Sequence, residues 1–162
     1  MVQNTLNWYN GEIFEAKFIL GFGIVLIVLS LLFYYLGNTP SAKALLLPIM
    51  ITGLIFAGIG GSMAYSNSNK IEKIQSTYDS NPSEFHQSEM KRVEDFQYLY
   101  PMSIGISLVS FLVALGLLYF VKNIQWQAVA IALILFGTAF AVIDYFSKER
   151  ASIYYNQLKG IE

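Results

Sequence analysis

Four long stretches of apolar residues dominate the pattern along the chain. They cover residues 18–36, 44–65, 102–121 and 126–146, and the only charged residue in any of them is Asp144. Because a helix rises about 1.5 Å per residue, about 20 residues cross the roughly 30 Å hydrocarbon core of a bilayer. None of the stretches shows the polar stripe expected of a helix in a soluble bundle. The pattern therefore predicts an all-α integral membrane protein with four transmembrane helices in an antiparallel bundle.

The composition agrees with this prediction, since 55% of the residues are apolar and only 13% are charged. Glu12 and Glu15 precede the first apolar stretch, where a secretory signal peptide would carry basic residues. We therefore expect this stretch to remain in the protein as its first span. The whole chain, residues 1–162, is then a single membrane domain.

The distribution of basic residues predicts the orientation. An even number of spans places both termini and the segment between the second and third spans on one side of the membrane. That side holds eight of the ten Lys and Arg residues, and the positive-inside rule assigns it to the cytoplasm. We expect a multi-pass protein of the cell (inner) membrane of a bacterium, with both termini cytoplasmic.

The central segment, residues 67–100, has the pattern of a cytoplasmic helical hairpin. Asn81, Pro82 and Glu84 have the order of an N-cap, a first helical position and a capping-box partner. The second helix of the hairpin carries an apolar stripe, which is suited to the membrane surface, to a partner or to packing within the chain. Packing within the chain is the reading we favour. The stripe consists of Phe85, Val93, Phe96 and Tyr100, and a further helical extension is predicted for residues 147–159.

Small residues recur at helical spacing and predict where the spans pack together. Helices in lipid associate through close backbone approach, so small side chains mark contact faces. Replacing Ala57 or Gly61 by Leu is accordingly expected to destabilise the protein. The predicted contact residues are Gly53, Ala57 and Gly61 in the second span, Ser103, Ser107 and Ser110 in the third, and Gly137 and Ala141 in the fourth.

The two halves of the chain share a plan that suggests a parallel two-fold internal repeat. Each half has an amphipathic lead-in, a span, a tight turn, a span rich in small residues and a polar extension. An offset of 84 residues superimposes five identical pairs. These are Gly21 and Gly105, Val25 and Val109, Tyr35 and Tyr119, Gly53 and Gly137, and Ala57 and Ala141.

Asp144 is the one ionisable residue within the predicted spans, and such residues are costly in a membrane. At 100° per residue it shares a helix face with Gly137 and Ala141, so it should point into the bundle. Lys148 follows one turn later. Two roles follow: a contact for a ligand or ion at the cytoplasmic mouth of the bundle, or an anchor at the helix end that pairs with Lys148 or another base. The anchor is the simpler role.

Glu12 and Glu15 lie near the same membrane surface as Asp144 and suggest an acidic mouth. Their spacing matches no metal site. The chain has no cysteine and a single histidine, His86, outside the spans, which excludes thiol chemistry and a bis-histidine haem within the membrane. No common catalytic or nucleotide-binding motif is present, and the net charge of −1 provides no basic surface. We therefore expect no enzyme, cofactor, metal or nucleic-acid partner.

Two functions remain. The first is a small polytopic membrane protein that acts by protein–protein interaction, as an accessory subunit, an assembly factor or a toxin-immunity factor. Its partners would be the lipid bilayer and either another membrane protein or a second copy of the chain. The alternative is a carrier or binding protein for a lipid or another small molecule, with a cavity between the helix pairs and Asp144 near its mouth.

Overall fold

The computed structural model describes residues 1–160 of the chain. The fold is all-helical, with 92% of the residues in helices and no strand in the described part. The helices are α1 (Val2–Leu36), α2 (Pro40–Ala44), α3 (Leu46–Ser80), α4 (Pro82–Phe96), α5 (Leu99–Phe120) and α6 (Ile124–Lys159).

Four helical stretches in this part of the chain are long and apolar enough to cross a membrane, as predicted. They are Val2–Leu36, Pro40–Ser80, Pro82–Phe120 and Ile124–Lys159. Each contains one of the predicted spans, except that the third ends one residue short, at Phe120. The fold is therefore that of a multi-pass membrane protein.

Local sequence explains several helix boundaries. The side chains of Thr39, Asn81 and Asn123 each accept a hydrogen bond from a backbone N–H at the start of the following helix. The break between α2 and α3 lies at Leu45, three residues before Pro48. Proline has no N–H for the carbonyl four residues earlier, so a continuous helix would lose a hydrogen bond at this point.

The helices form two closely packed pairs, α1 with α3 and α5 with α6, and α6 joins the pairs through contacts with both α1 and α3. Phe56 of α3 is almost completely buried at this junction. The core around it contains Ile19, Leu26, Ile49 and Ala132.

Glycines bring α1 and α3 together. A side-chain carbon on Gly23 would lie 2.6 Å from the carbonyl oxygen of Gly53, and one on Gly60 would lie 2.6 Å from that of Ala16. Gly61, by contrast, has no atom of the chain within reach of such a carbon. The seam predicted through Gly53, Ala57 and Gly61 therefore continues through Gly60 instead. At about 3.6 residues per turn, Gly60 lies seven residues after Gly53 and so on nearly the same face of the helix, whereas Gly61 lies eight residues after it and is rotated past that face by about 80°.

The predicted serine seam lies between α5 and α6. Ser103, Ser107 and Ser110 are buried, and a side-chain carbon on Gly137 would meet the carbonyl oxygen of Ser107 at 3.2 Å. Ala141 follows Gly137 by one turn and is half-buried. Small residues thus set the separation in both helix pairs.

Beyond the spans, α4 packs against α3 and α6, and its side chains also contact the N-terminal part of α1. Phe85 and Val93 are buried in these contacts, in agreement with the packing within the chain that we favoured. Tyr100 is also buried, but it belongs to α5 rather than to the predicted second helix of the hairpin. Phe96 is 51% exposed. The imidazole of His86 also hydrogen-bonds the backbone carbonyl of Leu158, with 2.7 Å between Nε2 and O.

Candidate ligand-binding cavity

A cavity of about 360 Å³ lies between the two helix pairs. Its apolar end reaches toward the membrane core and includes Ile19, Phe56, Ile59, Phe140 and Ile143. Its polar end faces α4 and is lined by Trp8, Glu12, Glu15, Lys70, Arg92 and Asp144. The cavity is therefore amphipathic, with one end suited to hydrocarbon and the other to a polar group.

Glu12 and Glu15 occur together at the polar end, and both bind Arg150 of α6. One guanidinium nitrogen of Arg150 lies 2.8 Å from a carboxylate oxygen of Glu12 and also contacts Glu15. The arginine thus connects the C-terminal part of α6 to α1. Because Arg150 forms ion pairs with both carboxylates, its single positive charge balances only one of them when both are ionised.

Asp144 is half-buried and lines the cavity. Its predicted pairing with Lys148 does not occur: the ion pairs within 4.0 Å in residues 1–160 join Arg92 to Glu89 and Arg150 to Glu12 and Glu15. Lys148 is exposed instead. A lysine ammonium is strongly hydrated and the side chain is long, so it reaches water more readily than it follows a carboxylate into the protein.

A second charged group lies behind the polar end, centred on Glu89, which is only 7% exposed. Arg92 donates hydrogen bonds to both of its carboxylate oxygens, the shortest being 2.7 Å. The hydroxyl groups of Tyr154 and Tyr9 lie 2.9 Å and 3.4 Å from the same carboxylate. The buried charge is thus paired and surrounded by donors, the condition under which burial of a charge is tolerated.

The two tyrosines lie outside the predicted spans. Burial raises the pKa of Tyr9 to about 12 and also raises the pKa of Tyr154. Both phenols therefore keep their protons at neutral pH and remain hydrogen-bond donors. Their role is to satisfy Glu89.

Aromatic rings complete this group. Trp8 stacks on Tyr154, with ring centroids 5.0 Å apart and planes inclined by 12°. The guanidinium of Arg92 lies 4.8 Å from the centroid of the Tyr9 ring. The rings of Trp8 and Tyr9 thus both lie against the arginine that neutralises Glu89.

Three residues at the polar end carry a buried polar atom with no hydrogen-bond partner in the described part of the chain. They are the indole nitrogen of Trp8, one carboxylate oxygen of Glu15 and one of Asp144. Buried polar atoms are normally hydrogen-bonded, and groups left unpaired are costly. The polar end therefore has one donor and two acceptors that the described part of the chain leaves unsatisfied.

Within residues 1–160, no group of three or more His, Cys, Asp or Glu side chains is arranged to hold a metal ion. The acidic residues at the polar end are thus not grouped as metal ligands. No protein-family model, curated protein or solved structure matches the chain. The class that the fold defines is a multi-pass membrane protein, and its cavity is the feature from which a function can be inferred.

Proposed function

We propose that this membrane protein binds a small amphipathic molecule in the cavity between its helix pairs. The observation that carries the proposal is the set of unpaired polar atoms of Trp8, Glu15 and Asp144 opposite an apolar end. At about 30 Å³ per water-sized group, the cavity holds roughly twelve non-hydrogen atoms. The ligand is therefore comparable in size to a ten-carbon chain with a small head.

The charges favour an amine as the head group. Arg150 balances one of the two carboxylates that it binds, and Arg92 is engaged by Glu89. Lys70 adds a third cation at the polar end, so the four carboxylates of Glu12, Glu15, Glu89 and Asp144 exceed the cations by one charge when all are ionised. The unpaired oxygens of Glu15 and Asp144 accept hydrogen bonds when ionised, and an ammonium group has three N–H donors to offer them. An anionic head would instead add to this excess of negative charge.

Native mass spectrometry after purification in a mild detergent tests this function. We expect a small amine-bearing amphiphile, such as added decylamine, to remain bound to the wild-type protein. It should be lost from the Glu15→Gln/Asp144→Asn double variant, because an amide is neutral. Lys159→Gln, which changes a charge far from the cavity, serves as the control and should retain the ligand.

The same measurement separates this function from the interaction function. Helix α5 packs mainly on α6, and side-chain carbons on its Gly105 and Gly116 would meet no other helix within residues 1–160. That free face suits another membrane protein or a second copy of the chain. A stoichiometric protein partner without any retained amphiphile would favour the interaction function. Recovery of a lone protein that binds no amine would contradict both.

We also propose that the spans are antiparallel. The contacts support this direction in the first helix pair, where Gly60 faces Ala16 and Gly53 faces Gly23. The residue number rises along α1 while that of its contact partner falls along α3, as in an antiparallel pair. In the second pair Tyr100 hydrogen-bonds the carbonyl of Ser147, and Ser107 faces Gly137.

The same contacts support the proposed internal repeat. Gly23 meets Gly53 in the first pair, and Ser107 meets Gly137 in the second. The two contacts are related by the 84-residue offset, which takes position 23 to position 107 and position 53 to position 137. A pair of helices with the same close contact at equivalent positions is the expected product of a duplicated unit.

The proposed location is the cell (inner) membrane of a bacterium, with the 67–100 hairpin and both termini in the cytoplasm. The orientation can be tested by labelling single introduced cysteines, because the chain has no cysteine of its own. A membrane-impermeant maleimide should label Ser41→Cys in intact cells. It should label Ser80→Cys, in an exposed position at the end of α3, only after the cells are permeabilised. The reverse pattern would place the hairpin outside.

A further inference from the structure

A second feature, separate from the cavity, is a groove of about 740 Å³ on the membrane-facing side of α5 and α6. Its apolar wall includes Ile104, Leu108, Phe111 and Ala141, and its other end carries Asp144, Lys148, Glu149 and Ser152. Ile104 and Leu108 are more than half exposed, so no helix of the chain covers the groove. In a bilayer it faces lipid.

Ser107 distinguishes this groove from an ordinary gap between helices. The residue is only 4% exposed, it lines the groove, and its hydroxyl has no hydrogen-bond partner among residues 1–160. The neighbouring hydroxyls of Ser103 and Ser110 bond to backbone carbonyls of their own helix. One buried hydroxyl of the seam, on a residue that lines the groove, is thus left unsatisfied in surroundings where an unpaired polar atom is costly.

The charged end of the groove has a mixed sign. Asp144 and Glu149 flank Lys148 along α6, and one carboxylate oxygen of Asp144 is buried without a partner. A phosphate group complements the lysine, and a cationic group complements the carboxylates. A purely anionic head would face two carboxylates and one lysine, so a zwitterionic head is favoured.

We infer that this groove binds a phospholipid with an ethanolamine head. The acyl chain lies on Ile104, Leu108 and Phe111, and an ester carbonyl accepts a hydrogen bond from Ser107. The phosphate lies near Lys148 and the ammonium near Asp144 and Glu149. An ethanolamine ammonium has three N–H donors, whereas the trimethylated choline ammonium has none, so carboxylate acceptors at this end of the groove discriminate between the two lipids.

This site goes beyond the proposed amphiphile function, because the groove faces the bilayer and the cavity lies between the helix pairs. Asp144 and Tyr100 line both features. Ser107 and Lys148 line only the groove, so variants at these two positions test the lipid site without altering the wall of the cavity.

The test is native mass spectrometry of the full-length protein after exchange into micelles with equal amounts of dioleoyl phosphatidylethanolamine, phosphatidylcholine and phosphatidylglycerol. We expect the ethanolamine lipid to be retained over the other two. Ser107→Ala should reduce its retention roughly fivefold to tenfold, the effect of one lost hydrogen bond. Lys148→Gln should also reduce it.

The matched controls are Ser110→Ala, which removes a hydroxyl that is satisfied within its own helix, and Lys122→Gln, which lies beyond the other end of the spans. Neither should alter the retention of the lipid. Equal retention of the three lipids by the wild type, or an equal loss with Ser107→Ala and Ser110→Ala, would overturn the inference. Decylamine binding is recorded on the same samples, so a failure of the cavity proposal would be seen separately.

Discussion

Gly60→Ala is expected to destabilise the protein, whereas Gly61→Ala, one residue later, is expected to leave its stability unchanged or to raise it. The new methyl group at Gly60 would lie 2.6 Å from the carbonyl oxygen of Ala16 and would also contact the backbone of Leu20. Backbone atoms of a packed helix cannot rotate away, so α1 and α3 would have to separate. Overpacking of this kind typically costs about 1–3 kcal/mol.

The opposite sign at Gly61 has a simple cause. A methyl group there meets no other part of the chain. Alanine is also a better helix former than glycine by about 1 kcal/mol in water, so the only remaining effect favours the variant. Thermal unfolding of both variants in the same detergent gives the comparison, with Gly58→Ala as a second open position. Equal destabilisation by Gly60→Ala and Gly61→Ala would show that α1 and α3 do not pack in this register.

Arg92→Met is expected to be the most damaging change in the extramembrane part of the protein. Arg92 donates three hydrogen bonds to Glu89, whose side chain is only 9% exposed. Removing one partner of a buried ion pair leaves an uncompensated charge and costs about 3–5 kcal/mol. Methionine keeps the length and the apolar stem of the side chain, so the loss of charge is the main change.

A double variant separates this charge effect from lost packing. Glu89→Gln/Arg92→Met has no unpaired charge, so we expect it to be more stable than Arg92→Met alone. Lys91→Met provides the control, because Lys91 is the exposed neighbour on the same helix. Free energies of unfolding from denaturant titration supply the comparison. If Arg92→Met cost no more than Lys91→Met, or if the double variant were the least stable of the set, the buried pair would not hold these helices together.

The features that the sequence predicts are those determined by short stretches of chain. The four spans follow from uncharged stretches that are long enough to cross hydrocarbon, and the caps at Thr39, Asn81 and Asn123 follow from residues next to the helix starts. The serine seam of α5 follows from its spacing on one face. Each of these depends on one helix at a time.

The polar network depends on several helices and is therefore largely missed. Glu89 receives donors from α1, α4 and α6, and Arg150 reaches Glu12 across 138 positions of the chain. One local signal does point to Glu89, since it lies between Phe85 and Val93 on the apolar stripe of α4. A charged residue at such a position needs a buried partner, and Arg92 is three residues away.

Two local predictions fail because spacing along one helix gives the direction of a side chain but not the group that it contacts. A step of four residues from Ala57 reaches Gly61, yet the close contact is at Gly60. Positions spaced by four residues rotate gradually around the helix, so Gly61 has turned away from the face of α3 that contacts α1. Likewise Lys148 stands one turn after Asp144, but its side chain extends into water. The neighbouring helix decides in the first case, and hydration in the second.

The central claim is that the cavity between the helix pairs receives an amine-bearing amphiphile, and Trp8 can report on it directly. The chain has two tryptophans, and only Trp8 lines the cavity, so Trp126→Phe leaves a single probe. Decylamine should change the Trp8 emission in a saturable way, whereas decanoate should not. Adding Glu15→Gln and Asp144→Asn should abolish the response, and Trp8→Phe, which keeps Trp126, should show none. An equal response to decanoate, or a response that survives the loss of both carboxylates, would contradict the account.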